Sequence, residues 1–180
     1  MKVNCLNFSD SKDSRFLFLY GSELIIKQDI ADKILQSLKA QGFNDKVSLH
    51  QDELDHAEEI IMRNLGGSLF QEKLILHLKH TLGKFPEKIK LILENQHLYN
   101  SDNLALIVES SIEKTPASGD WIKNMDEKGL IVSCGKLKTV EEKLWLKRKL
   151  EFLPKSLLPM FGGSIFQNNE GNLLGQMNEV

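Results

Sequence analysis

Leu104-Ala105-Leu106-Ile107-Val108 is apolar at every position, and a strand can lack a polar face only where both of its faces are covered. Such a run belongs in a parallel sheet packed between helices, not in a half-solvated antiparallel one. The surrounding chain follows the same pattern. Phe16–Tyr20 and the stretches 46–50, 73–78 and 130–134 are short strand-type runs, each set apart by a helical one. Leu24, Ile25, Ala31, Ile34, Leu35 and Leu38 recur near helical spacing over 22–41, where Gly42 stops the pattern. Asp52 suits the N-cap of a helix over 52–65 with Leu54, Ala57, Ile60, Ile61 and Leu65 on one face, broken by Gly66-Gly67. Pro86 opens a helix carrying Ile89, Leu91, Ile92 and Leu93, and 115–127 is helical at least from Asp120. A closing helix over 140–153 turns Leu144, Trp145 and Leu150 inward and ends at Pro154. Strands alternating with helices of this length imply βαβ crossovers around a five-stranded parallel sheet flanked by helices.

The first strand and helix carry the chemistry to be tested. A strand, a glycine turn and a helix form the setting in which a P-loop, G-x-x-x-x-G-K-[ST], cradles phosphates on backbone N–H groups. In that register the chain reads Gly21-Ser22-Glu23-Leu24-Ile25-Ile26-Lys27-Gln28. Lys27 falls on its position. Ile26 replaces the second glycine, where a side chain fills the space a phosphate needs. Gln28 replaces the hydroxyl that holds Mg²⁺, and Glu23 adds negative charge. The spacing predicts a P-loop-type domain that does not use ATP and needs no cofactor.

The remaining composition narrows the function classes. A net charge of −2 over 180 residues advertises no general affinity for nucleic acid. Cys5 and Cys134 stand far apart and in no C-x-x-C pair, which fits two reduced thiols in the cytoplasm. No apolar run has the length of a membrane span, and residues 1–15 are too polar for a signal peptide. His77 and His80 point to opposite faces of a strand, His50 and His56 bracket an acidic turn, and no metal-ligand spacing appears, so all are expected as solvated surface residues. No catalytic or metal-binding residue is assigned. The basic stretch 136–149, with Lys136, Lys138, Lys143, Lys147, Arg148 and Lys149, can face a DNA backbone or form the solvent face of an amphipathic helix balanced by Glu141, Glu142 and Glu151.

Ser68-Leu69-Phe70 stands after a helix-breaking glycine pair and before a strand. Adjacent leucine and phenylalanine on a short turn can plug an apolar pocket of a partner, or fold back over the sheet edge; spacing leaves both open. A second Gly-Gly-Ser-Ile-Phe at 162–166 has unrelated flanks and is no repeat. Beyond Pro154 the chain becomes rich in Gly, Asn and Pro and finishes in a helical fragment around Leu173-Leu174. Residues 1–153 therefore read as one α/β domain, and 154–180 as the incomplete beginning of a helical second domain.

Taken in order, these pieces resemble the delta subunit of the bacterial DNA polymerase III clamp loader, in its N-terminal part. The resemblance rests on Phe16-Leu17-Phe18-Leu19-Tyr20-Gly21 with its degenerate loop, Gln41-Gly42-Phe43 after the first helix, Ser68-Leu69-Phe70 before the third strand and the run 104–108. Trp121 before Leu130-Ile131-Val132-Ser133-Cys134, Trp145-Leu146, and Glu170-Gly171-Asn172-Leu173-Leu174 continue it. It implies an AAA+-like fold leading into a small helical lid domain, no ATPase activity of its own, and a part in binding and opening the sliding clamp. The family's clamp contact carries over to Ser68, Leu69 and Phe70. Other loader subunits join such chains through a collar domain, which is absent here, so the chain is a fragment or a reduced member. DNA contact is expected to be weak. The region around Thr115-Pro116-Ala117-Ser118 lacks a lysine-rich loop of that family. The alternative from another class is a P-loop ATPase or nucleotide kinase with an aberrant phosphate loop.

Overall fold

The computed structural model describes residues 1–8, 14–65, 73–115, 119–154 and 156–178. Two compact units, Met1–Gly135 and Lys136–Val180, divide the chain. The division falls at Gly135, not after residue 153, so the helix expected to close the first unit groups with the second.

In the first unit β1 (Lys2–Asn4) is followed by β2 (Phe16–Tyr20), α1 (Leu24–Ala40), β3 (Asp45–Leu49), α2 (Ala57–Leu65), β4 (Leu74–His80), α3 (Glu87–Glu94) and α4 (Gln96–Tyr99). β5 (Leu104–Ser110), α5 (Asp120–Lys128) and β6 (Leu130–Ser133) complete it. The strands form one parallel sheet in the order β1-β6-β2-β5-β4-β3. The α/β class holds, but the sheet has six strands where five were expected. The addition, β1, is a three-residue edge strand pairing Val3 with Val132, and it is too short and too exposed to carry a hydrophobic period.

The all-apolar strands sit where their composition demands. Phe18 pairs with Val108 on one side and Ile131 on the other, and β2 is buried throughout. One sheet face presents Phe16, Phe18, Leu76, Leu106 and Ile131 to a core shared with Ala57, Ile61, Ile89, Leu93 and Met125. Phe18, Phe85 and Trp121 form its aromatic centre, with ring centroids 5.1 to 5.4 Å apart in edge and stacked contacts. Ile26, Ile30, Ile34, Leu35 and Leu38 of α1 are buried. The phase differs from expectation at the helix start, where Leu24 is 69% exposed and Ile26 and Ile30 face inward instead. α1 ends in a Schellman motif: Gly42 N–H donates to Lys39 O, Phe43 N–H donates to Leu38 O, Gly42 has φ +90°, and Phe43 is buried. The second helix begins later than 52. A short 3₁₀ turn, Leu54–His56, precedes α2, and Glu53, not Asp52, accepts a hydrogen bond there, from His50 N–H at 3.1 Å.

The second unit contains α6 (Thr139–Lys149), α7 (Leu158–Asn168) and α8 (Leu173–Asn178). Trp145, Leu146, Leu150, Ile165, Phe166 and Leu173 are buried, whereas Leu144, expected inward, is 43% exposed. Glu142 is buried and accepts hydrogen bonds from Gly171 N–H at 2.8 Å and from the Gln176 amide, tying α6 to the turn before α8. Among the described residues no helix is long and apolar enough to cross a membrane.

Candidate functional site

The β2–α1 turn lies at the carboxyl end of β2, between β5 and β6, where strand order reverses and open α/β sheets bind their ligands. Here the turn is filled by the protein itself. Gly21 has φ +123°, and a Cβ at this position would overlap the Cys134 carbonyl and lie 2.6 Å from Gly135 N. Glu23 N–H, an amide of the kind that would face a phosphate, donates instead to Cys134 O at 2.9 Å. Cys134 N–H in turn donates to Tyr20 O at 2.6 Å. The loop is also shorter than its P-loop register requires. Helix α1 starts at Leu24, so Ile26, Lys27 and Gln28 occupy its first turns. Ile26 is 2% exposed and points into the core as a helical residue, so it does not stand in a phosphate cradle.

Lys27 keeps its sequence position but points elsewhere. Its side chain is buried, and Nζ donates to the Ser110 carbonyl at 3.0 Å. Burial lowers its pKa, against the opposing negative charge of Glu109. Gln28 and Ser22 are exposed.

Beside this turn a cavity of about 630 Å³ opens, with Lys27, Gln28, Lys46, His77, Lys79 and Glu109 among its walls. His77 is buried, not solvated as expected, because Nε2 lies 2.6 Å from Glu109 Oε1 on the neighbouring strand. Burial pushes the Glu109 carboxyl up, but the hydrogen bond and charge of His77, with Lys79 and Lys27, outweigh it and leave the carboxyl below its ordinary value. His80 is also buried. It points to the opposite face as expected, with Nδ1 2.9 Å from Ser110 Oγ and its ring edge-on to Phe85 at 5.6 Å. Burial lowers its pKa. His50 and His56 are exposed as expected, and among the described residues no cluster of three His, Cys, Asp or Glu side chains could hold a metal ion.

Ser110, Glu109 and the Cys134 carbonyl organise this site, and none was singled out from sequence. A serine at a strand end carries no motif, and a backbone carbonyl carries no residue signature at all. Ser68, Leu69 and Phe70 lie outside the described residues, as do Pro116, Ala117 and Ser118. Lys136, Lys138, Lys143, Lys147 and Arg148 are exposed.

The Lys27 environment sets a pH dependence. A lysine whose folded-state pKa is lowered binds fewer protons folded than unfolded between that pKa and its ordinary 10.5. Stability therefore rises with pH across this window, as the burial cost of the ammonium is removed. Lys27→Met should flatten that alkaline rise in urea midpoints. An unchanged pH slope would mean that Lys27 is not the group responsible.

Strand order and turn define the class: a doubly wound parallel α/β domain whose β2–α1 turn is bonded to the end of β6. The family described as "DNA polymerase III, delta subunit" matches residues 17–135. This chain belongs to the DNA polymerase III delta-subunit family. No curated protein sequence matches it. Among solved structures, the Bacillus subtilis DNA clamp loader delta protein (YqeN) superposes with a TM-score of 0.61 at 14% identity, over 92% of this chain and 51% of that one. The chain thus spans about half the length of that relative and shares its fold.

Proposed function

We propose that this chain is the clamp-contacting part of a delta subunit. It binds the ring-shaped sliding clamp through Ser68, Leu69 and Phe70, helps to open it during DNA replication, and turns over no nucleotide itself. The observation that carries this reading is the family match across residues 17–135, which runs through the Ser68–Leu69–Phe70 element. The filled β2–α1 turn favours a non-catalytic role: Glu23 N–H and Lys27 Nζ, two donors that would serve a phosphate, are both bonded to backbone carbonyls. Other loader subunits would join only where a collar domain is present, any DNA contact is weak, and the chain works in the cytoplasm.

Calorimetric titration of the sliding clamp from the same organism tests the reading, with saturable binding expected. The nucleotide claim has its own test. A ligand at one hundred times its dissociation constant stabilises its protein by about 2.7 kcal/mol, and ATP–Mg²⁺ is expected to leave the melting temperature unchanged. A rise in melting temperature with ATP–Mg²⁺ would return the chain to the P-loop ATPase or nucleotide kinase class.

A further inference from the structure

The sheet brings together two residues that stand far apart in the chain, Cys5 and Cys134. β1 and β6 run parallel, with Lys2 opposite Ile131, Val3 opposite Val132 and Asn4 opposite Ser133. Asn4 is extended, at φ −80° and ψ 148°, so one further step along both chains sets Cys5 beside Cys134. Neighbouring strands lie about 4.8 Å apart, inside the roughly 4.4–6.8 Å between Cα atoms that a disulfide bridges. Side chains alternate between the two faces of a sheet, and register partners share a face. Cys5 therefore follows Val3, and Cys134 follows Val132, onto the same face. The exposure of β1 keeps that alternation: Lys2 and Asn4 are exposed, while Val3 and Cys5 are half-buried.

The two thiols differ in access. Cys5 is half-buried and Cys134 is buried. Cys5 Sγ lies 3.6 Å from Asn4 Oδ1, and Cys134 Sγ 3.9 Å from the Val132 carbonyl. Both are contacts of weak donors that a side-chain rotation gives up. Burial pushes the pKa of the Cys134 thiol up, and a thiolate at Cys5 would push it further. Cys134 thus rests as a thiol, and an oxidant arriving from solution meets Cys5 first.

We propose that Cys5 and Cys134 form a redox-modification site, closing to an intramolecular disulfide when the protein meets a small disulfide oxidant of the glutathione type. The Cys5 thiolate attacks the oxidant's S–S bond; a mixed disulfide forms, and the displaced thiolate takes up the proton that Cys5 gave up. Cys134 then loses its proton and attacks the Cys5 sulfur. The mixed bond breaks, the Cys5–Cys134 bond forms, and the second thiolate leaves with that proton. Two protein thiols are oxidised and one disulfide is reduced to two thiols. A reducing cytoplasm keeps such a pair open until oxidant rises. The bond staples β1, an edge strand of three residues, to the end of β6. Cys134 also holds the β2–α1 turn, donating its N–H to Tyr20 O and accepting from Glu23 N–H, so the bond ties the edge strand to that turn.

To test this, the folded full chain is incubated with oxidised glutathione, unfolded in an alkylating reagent and read by mass spectrometry. Both cysteines should escape alkylation, a peptide pair joined through Cys5 and Cys134 should appear, and dithiothreitol should restore both thiols. The urea midpoint should rise on oxidation, because the bond closes a loop around most of the α/β unit, and Cys5→Ser should show no rise. Cys134→Ala should stop the exchange at glutathione on Cys5. A wild type that also stops there, with Cys134 still alkylated, would overturn the proposal. So would two unmodified thiols, or a disulfide between two copies of the chain. A bond that forms only after urea has unfolded the protein would place the thiols apart in the folded state and overturn it too. An oxidised form no harder to unfold than the reduced one would mean that the bond distorts the sheet, against the register on which the proposal stands.

Discussion

With Leu69 and Phe70 both replaced by alanine, affinity for the sliding clamp should fall by on the order of two decades or more, taking 1.4 kcal/mol per decade, while the protein melts where the wild type does. Fully burying a leucine or phenylalanine side chain contributes roughly 1.5–3 kcal/mol. Truncating two adjacent anchors removes most of the surplus that survives the loss of translational and rotational freedom. Among the described residues, Phe18, Leu76, Leu106 and Ile131 of the α/β core already pack with Ala57, Ile61, Ile89 and Met125. Loss of the fold in the double variant would mean that the pair caps the sheet edge, the other reading left open by spacing. A folded variant that binds at full strength would move the contact elsewhere on the chain.

What could be read from sequence and what could not divide along physical lines. A strand buried on both faces has no choice of residues, so Phe16–Tyr20 and 104–108 announced themselves, and the order of elements followed. β1 did not, because three residues at a sheet edge, two of them exposed, bury too little to impose a pattern. Helix α1 was placed correctly but its phase slipped at the start, since Leu24, Ile25 and Ile26 are consecutive apolar residues and only packing decides which face inward. His77 looked like a surface residue because its partner, Glu109, lies on a different strand and sequence spacing cannot show that pairing. Leu144, Trp145 and Leu146 posed the same problem as α1: in a run of adjacent apolar residues only packing decides which are covered, and the structure buries Trp145 and Leu146 and leaves Leu144 exposed.

The phosphate turn divides the same way. Departures at Ile26 and Gln28 from the P-loop pattern were visible, and they pointed to a turn that does not cradle phosphate. Ile26 does not obstruct an otherwise intact loop; the helix starts at Leu24 and takes up the residues the loop would use. Nor could sequence show that the Cys134 carbonyl accepts the Glu23 amide. That carbonyl belongs to the end of β6, over a hundred positions away in the chain. Lys27 is the instructive residue, since it matches the pattern in sequence and serves a different acceptor in the fold.

Gly21→Ala should be among the most damaging single changes in the α/β unit, costing about 2–6 kcal/mol, the sum of a strained backbone at about 1–3 kcal/mol and an overpacked core at about 1–3 kcal/mol. Two effects coincide at this position. The φ of +123° is one that side-chain-bearing residues rarely adopt, and the new Cβ would overlap the Cys134 carbonyl. Relief requires the end of β6 to move away from the turn, which breaks the bonds from Glu23 N–H to Cys134 O and from Cys134 N–H to Tyr20 O. Gly83→Ala separates the two effects, because Gly83 also has a positive φ, +80°, but a Cβ there meets nothing within 4 Å. Its cost should stay near the backbone contribution alone, about 1–2 kcal/mol. Urea unfolding of both variants and the wild type measures the difference. Equal costs for the two would mean that β6 does not close on this turn, and that the β2–α1 turn is open enough to admit a ligand after all.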